Sequence, residues 1–567
     1  MLSSLVLLSI GALLRDAQAQ FVPAPTDLTS AMGYAGVPVR YKKVPTGICE
    51  LDPNVQSFSG YADVAEDQHI FFWFFEARNQ DPTTAPLTVW INGGPGSSSM
   101  IGLFQELGPC GIDYFGNVYN NPYSWSNASN MLFIDQPTMV GFSYSKPIPG
   151  YVDANSGSIV QLPDASECPD YVNGTCGTFS YPDVTLTANS TASAAPNFWK
   201  TLQGFMGAFP QYARNGFHFT SESYGGHYGP VFNAYIEEMN AKNIPGAVNI
   251  SLESVMIGNG WYDPIIQYQA YYNFTVFPGN TYDYRGFTPA QEKQMYNNLY
   301  GPGNCLDQLN ACKASGSNAV CSSADNFCAN QIENLYDLYL GRDEYDMREL
   351  TPDPFPYSFY DDYLNSPEVQ AAIGAFVNFS DYNNAVGTNF GYTGDDGREV
   401  GTIEDLRSLV NDGITVALYA GDADYNCNWL GGQAVANEVA VKGWEGAGYV
   451  NMSTSDGVAH GQVKQAGKFS FTRIYESGHE VPFYQPLASL EMFERVIHGL
   501  DVATGTVKVN SSYYHTKGEK ESTYREGNAT VQWTVVPDNT TYDRTTNRPG
   551  PPWGAEKKTR LSMRKWR

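Results

Sequence analysis

Residues 219–230, FTSESYGGHYGP, leave this chain little choice of fold. Phe217 and Phe219 end a short alternating apolar segment, and residues 228–239 repeat apolar positions at helical spacing. Between that strand and that helix lies a tight turn carrying Ser223, followed by Gly225 and Gly226. A serine on such a turn presents its hydroxyl at the end of a sheet and beside a helix N-terminus, the geometry of a nucleophile elbow. The glycines admit neighbouring backbone next to a turn with unfavourable dihedrals. Ser221 stands where the G-x-S-x-G pattern has its first glycine, so taken alone the stretch also fits an ordinary turn.

The rest of the chain supplies the layers an elbow needs. Residues 69–76 (HIFFWFFE), 87–91 (LTVWI), 131–135, 251–257, 414–419 and 469–475 read as buried strands. Residues 194–209, 402–411 and 485–499 read as helices between them. Strands alternating with helices predict an α/β fold with a mostly parallel, doubly wound sheet. Residues 20–60, punctuated by Pro and Gly, read as an arm leading onto the core, and 145–192 as a surface insertion. From 262 to 365 the pattern turns Tyr-rich, Cys-rich and irregular, which predicts a cap inserted over the active-site end of the sheet. The expected organisation is a leader (1–19), a hydrolase core in two parts (20–261 and 366–500) around that cap, and an extension (501–567) with a Pro-rich turn at 549–552 and a basic tail.

Residues 1–19 hold an apolar run from Leu5 to Leu14 and a small-x-small site at Ala17 to Ala19, the pattern of a secretory leader cut before Gln20. No later run reaches the ~18 apolar residues of a membrane-spanning helix. Ten N-x-S/T sequons, at Asn127, Asn173, Asn189, Asn249, Asn273, Asn378, Asn451, Asn510, Asn528 and Asn539, predict a glycoprotein. The formal net charge of −26 excludes nucleic acid and anionic membranes as partners and suits an acidic medium. Secretion is the expected destination, with a vacuole or lysosome-like compartment as the alternative. Nine cysteines in an exported chain predict a disulfide framework with one thiol over. Cys305, Cys312, Cys321 and Cys328 read as nested pairs, 305–328 around 312–321; Cys168 pairs with Cys176, Cys49 with Cys110, and Cys427 is the odd thiol.

Three other strand ends carry polar residues. Residues 90–96, WINGGPG, put a glycine-rich loop after a strand, and such loops expose backbone N–H groups that build an oxyanion hole. Gly94 would supply one donor and Tyr224, the residue after the nucleophile, the other. Residues 419–424, YAGDAD, end a strand in two acids, and 477–482, SGHEVP, place His479 just past another strand. The order Ser, Asp, His, each after a strand, is that of alpha/beta-hydrolases. His479 would take the Ser223 proton, and an acid of the GDAD pair would hold the imidazole tautomer. This chemistry calls for no cofactor and no metal.

The blocks WINGGPG, GLFQELGPC, NPYSW, FIDQPTMVGFSYS, ESYGGHY, IGNG, YAGDADYNCNWLGG and GHEVPFYQP, in that order from about residue 50 to 495, resemble those of the serine carboxypeptidase family, above all its fungal secreted or vacuolar members. The resemblance implies an enzyme that takes residues from the C-termini of peptides and proteins through an acyl-enzyme. It implies Asp424, the second acid of GDAD, as the partner of His479. It also implies that Asn92 and Glu222, with Glu106 behind them and Gly93 and Trp90 nearby, bind the substrate's terminal carboxylate. Cys427 would border the substrate pocket, as would Glu480 and Gln105, which stand where other members have apolar residues. Ser97 replaces a cysteine of the family pattern, so a common family disulfide is absent in its usual form. A carboxylic acid receives a carboxylate only when protonated; two acids side by side raise a pKa and keep a proton in mild acid, so an acidic optimum is expected. An acyltransferase or esterase on the same triad is the alternative enzyme, and an inactive glycoprotein binding module the alternative outside catalysis.

Overall fold

A computed structural model describes residues 21–153, 155–172, 176–276, 279–509 and 514–555. The expected leader, the sequons at Asn173 and Asn510 and the basic tail from Lys557 lie outside the described residues.

Twelve strands form the main sheet: β1 (Thr29–Met32), β2 (Pro38–Val44), β3 (Ser57–Ala65), β4 (Gln68–Phe75), β5 (Leu87–Ile91), β6 (Asn130–Ile134), β7 (Phe217–Glu222), β8 (Leu252–Gly258), β9 (Thr415–Gly421), β10 (Val450–Ser453), β11 (Ala459–Ala466) and β12 (Phe469–Ile474). Their spatial order is β1-β2-β3-β4-β6-β5-β7-β8-β9-β12-β11-β10. The strands from β6 to β12 in that order pair in parallel, and both flanks are antiparallel. The sheet is therefore mixed: parallel where the sequence predicts it, antiparallel at the edges. The parallel strands are covered on both faces, which is why LTVWI is buried at every position.

The flanks escape the sequence reading for a physical reason. β2 (PVRYKKV) and β11 (AHGQVKQA) carry charged and polar residues in half-exposed positions, so no apolar run marks them. The region read as an arm is in fact β1 to β3. The insertion after β6 folds into a small three-stranded sheet of Pro147–Val152, Ile159–Gln161 and Cys176–Ser180.

Helix α1 (Thr191–Ala208) is capped by Ser190, whose hydroxyl accepts from Ser193 N, and α2 (Gly225–Lys242) ends at Asn243 in a left-handed conformation. Both pack beside the strand that carries Ser223. The stretch read as irregular is helical. Pro264–Thr275, Pro289–Tyr300, Cys305–Ser315, Asn318–Cys328 and Leu335–Leu340 follow β8, and the disulfides Cys305–Cys328 and Cys312–Cys321 staple the third of these to the fourth. Cys49 is joined to Cys110, Cys168 to Cys176, and Cys427 is a free buried thiol. The Pro-rich segment read as a turn is a strand, Arg548–Pro552, paired with Thr540–Asp543. Tyr542 of that hairpin packs against Phe355, Phe483 and Tyr484. Among the described residues no helix is long and apolar enough to cross a membrane.

Asn378 contradicts its reading as a glycan site. It is 7% exposed, its Oδ1 accepts from Thr178 N at 2.8 Å and its Nδ2 donates to Asn365 Oδ1 at 3.3 Å. Asn189, Asn249, Asn451, Asn528 and Asn539 are exposed, and Asn127 and Asn273 partly so.

Candidate active site

Ser223 sits at the tip between β7 and α2 with φ +61°, a left-handed conformation that a serine holds only when its surroundings enforce it. They do. Ser223 N donates to Gly258 O at 3.0 Å, and its carbonyl accepts from Gly226 N and Trp261 N, each at 2.9 Å. A Cβ on Gly226 would lie 2.3 Å from the Trp261 carbonyl, so the helix can begin there only with glycine. Ser221 explains the missing first glycine: its buried hydroxyl donates to Ile91 O at 2.6 Å, and it fits because Gly225 opposite has no Cβ. The elbow is intact with serine in that place.

His479 follows β12 and its Nδ1 lies 2.8 Å from Asp424 Oδ2, which leaves Nε2 as the ring atom available to a nucleophile. Asp424 is fully buried, and the same Oδ2 accepts from Asn259 Nδ2 at 2.7 Å and Cys427 N at 3.2 Å. Asp422, the other acid of GDAD, accepts from Tyr282 Oη at 2.6 Å and Glu476 N at 3.0 Å and pairs with Arg473 at 3.4 Å. The turn that follows β9 thus sends one acid to the imidazole and the other to a buried arginine. The backbone N–H of His479 donates to Tyr345 O at 2.8 Å, and the Tyr345 ring meets the imidazole edge-on at 4.9 Å.

The glycine-rich loop packs onto the elbow. A Cβ on Gly93 would stand 2.3 Å from Tyr224 N and 2.8 Å from Ser223 Cβ, and Gly94 adopts φ +105°. Gly94 and Tyr224 both line the cavity that holds Ser223.

Behind this loop the polar groups form a short relay. Asn92 Oδ1 accepts from Trp90 Nε1 at 2.7 Å and Gly102 N at 3.0 Å, so its amide can only donate onward, to Glu222 Oε1 at 2.9 Å. Glu106 is buried with neither carboxyl oxygen in a hydrogen bond, and Glu480 Oε2 is likewise unpartnered. Burial pushes all three acids well above the usual carboxylate range; next in order, Glu222 raises Glu106, Glu480 raises Glu222, and Glu106 raises Glu480. Glu480 therefore belongs with the other two acids. Gln105 lies apart from Ser223: its Nε2 donates to Tyr357 O at 3.1 Å in a void of about 10 Å³ walled by Phe104, Ile112, Tyr119, Tyr360 and Phe483.

On its other side Ser223 opens into a cavity of about 270 Å³, with Cys427 in its wall. Sequence reasoning missed the acids there. Glu333, Glu344 and Asp396 line it, and burial raises Glu333 to about 7, Glu344 to about 8 and Asp396 well above its ordinary value. Nothing in their spacing relates them to Ser223, because Glu333 and Glu344 arrive on the cap and Asp396 from the chain that follows it. Asn259 was within reach, since IGNG follows a strand directly, but its task needs the position of Asp424. Asp424, Cys427 and His479 offer ligand atoms within 4.8 Å of one another; two are members of the hydrogen-bonded pair, and the thiol is pushed up by burial and then by Asp424, so the set reads as a proton-transfer site rather than a metal centre.

A family model described as serine carboxypeptidase matches residues 46–499. The chain is 40% identical over 463 residues to carboxypeptidase S1 of Penicillium janthinellum, covering 80% of this chain and 97% of that protein. It is 37% identical over 552 residues to carboxypeptidase S1 homolog B of Arthroderma otae, covering 89% and 84%. Among solved structures, a prohormone-processing carboxypeptidase from Saccharomyces cerevisiae superposes with a TM-score of 0.62 at 23% identity, over 80% of this chain and 95% of that one, which speaks to the fold.

Proposed function

This chain belongs to the serine carboxypeptidase family and is a serine-type carboxypeptidase, and we propose that it cleaves through Ser223, Asp424 and His479 and grips the substrate's terminal carboxylate with protonated acids. His479 Nε2 takes the Ser223 proton as the hydroxyl oxygen attacks the last peptide carbonyl, and Asp424 holds the tautomer through Nδ1. The oxyanion collects N–H donors from Gly94 and Tyr224. Protonated His479 gives its proton to the departing amine, so the C-terminal residue leaves as a free amino acid and an acyl-Ser223 ester remains. Water, deprotonated by the same imidazole, hydrolyses that ester.

The observation that carries this reading is the cluster Glu222, Glu106 and Glu480 beside the elbow, the first two buried and the third half-buried, with Asn92 as its amide donor and, among the described residues, no cation among its hydrogen-bond partners. Ionised, three acids would repel a carboxylate; sharing protons, they donate to it. While the acids keep their protons the cluster binds, and as rising pH ionises them the site empties. The leaving residue lies on the carboxylate side, so the 270 Å³ cavity receives the side chain before the scissile bond. Its three acids, once ionised, suit a cationic side chain there. The sequence pattern at residues 1–19, the sequons and the acidic charge support an exported protein, secreted or vacuolar.

One comparison tests the carboxylate grip: kcat/KM for a peptide with a free C-terminus against its C-terminal amide, between pH 4 and 7. The free acid should be preferred by at least about tenfold at pH 4.5, the worth of one charge-assisted hydrogen bond. Equal rates would leave a serine hydrolase without the proposed grip.

A further inference from the structure

A cavity of about 610 Å³, more than twice the size of the one holding Ser223, takes no part in the chemistry above. Its walls are the three-stranded insertion, through Val152, Ile159 and Phe179, and the start of the helix Asn384–Thr393. In a chain of formal charge −26, no Asp, Glu, Lys, Arg or His lines it among the described residues. Hydroxyls and amides (Ser158, Thr388, Asn384) alternate with apolar groups, and the rim carries Tyr382 at 44% and Tyr392 at 71% exposure. Exposed tyrosines around a concave, uncharged, hydrogen-bonding surface are typical of sites for uncharged polymer segments.

This cavity adjoins the catalytic one across a single loop. Gly93 lies against Ser223, and three residues on, Gly96 O accepts from Asn383 N at 3.0 Å, while Ser97 bridges Tyr382. Three residues span at most ~11 Å, a distance that three or four extended substrate residues also cover. Tyr382 stands between the two spaces: it lines the larger cavity and bridges Ser97, two residues beyond Pro95 in the wall of the catalytic one. Pro95, on the catalytic side, has its carbonyl 3.3 Å from a Cβ placed on Gly387.

We propose that this cavity is an exosite for uncharged residues of the peptide substrate, about three to six positions before its C-terminus. The proposal rests on the peptidase reading, because the segment it binds is the upstream part of the acylating peptide. Longer substrates then gain binding without new chemistry, and the enzyme prefers protein and oligopeptide C-termini to dipeptides.

The test is kcat/KM for free-acid peptides of two and six residues that share one C-terminal dipeptide. The added residues are neutral (Ser, Leu, Tyr), or carry Asp or Lys at the fourth and fifth positions from the C-terminus. A neutral extension should raise kcat/KM at least about tenfold, and both charged extensions should forfeit most of that gain. Tyr392→Ala and Val152→Asp should bring the long-to-short ratio to about one, a ratio in which any disturbance of the triad cancels. Equal rates for long and short peptides in the wild type would overturn the exosite, as would variants that keep the full ratio. A Lys extension that outperforms the neutral one would also overturn it, because the gain would then come from general attraction to an acidic protein. Cleavage of the dipeptide throughout keeps the peptidase reading standing whichever way the ratio falls; absence of cleavage at any length would bring down both.

Discussion

At the residue scale the design turns on which acid does what. Asp422 and Asp424 both lie past the strand end, where the chain turns and strand alternation no longer holds, so the first reaches Arg473 and the second His479. Asn259 then fills an acceptor position of Asp424 that faces no water. Ser223→Ala should leave the fold unchanged and lower kcat by more than about a thousandfold, read as release of free amino acid under single-turnover conditions. The acid cluster makes a second demand. Glu222→Gln replaces a group that donates only when protonated by an amide that donates at any pH. Peptide KM should rise toward neutrality in the wild type and stay nearly flat in this variant. A parallel rise in both would show that protons on Glu222 do not hold the carboxylate.

At the element scale the sequence was readable where apolar runs and chemistry coincide. The parallel strands declare themselves because both faces are buried, and the elbow, the glycine loop and the His479 turn all follow such strands. The edge strands were not readable, since half-exposed Arg40 and Lys42 and exposed Lys43 interrupt the β2 pattern. Nor were the cap acids, whose meaning lies in tertiary contact alone. Those acids make the cavity's charge depend on pH. With Glu333 at about 7 and Glu344 at about 8, both stay largely protonated at pH 5, and they ionise in turn as pH passes those values. Selectivity for Lys over Leu before the scissile bond, taken as a ratio of kcat/KM values, should therefore climb between pH 5 and 8. Glu344→Gln should blunt the climb; a ratio independent of pH would remove these acids from specificity. The segment around Asn378 gives a third check: its amide is spent on Thr178 and Asn365, so glycopeptide mass mapping should find Asn378 bare and exposed Asn189 or Asn249 occupied.

At the scale of the whole molecule, acids are folded into places where charge is costly. Burial raises Asp325, Asp343, Asp361 and Glu333 to about 7 and Glu344 to about 8, while Glu106, Glu222, Glu480 and Asp396 lie well above their ordinary values. Above about pH 4.5 the folded chain thus binds more protons than the unfolded one, and stability falls as pH rises. A raised carboxyl contributes its full share below the unfolded value near 4 and loses it as pH passes the folded value, so the loss spans about pH 4.5 to 8. The few lowered acids act oppositely but are spent by then: Asp456, held down to about 2 beside Thr454 and His460, matters only below about pH 4. The thermal midpoint should accordingly peak near pH 4–5 and decline through neutrality. Surface repulsion at a net charge of −26 pushes the same way, and salt separates the two causes. Half-molar NaCl, with a Debye length of roughly 4 Å, screens surface charges but not buried acids. The decline should therefore persist in high salt and become shallower in Glu344→Gln. A midpoint that is flat from pH 5 to 8 in high salt would mean that the buried acids find partners on ionising, and the protonated carboxylate grip would lose its physical basis with them.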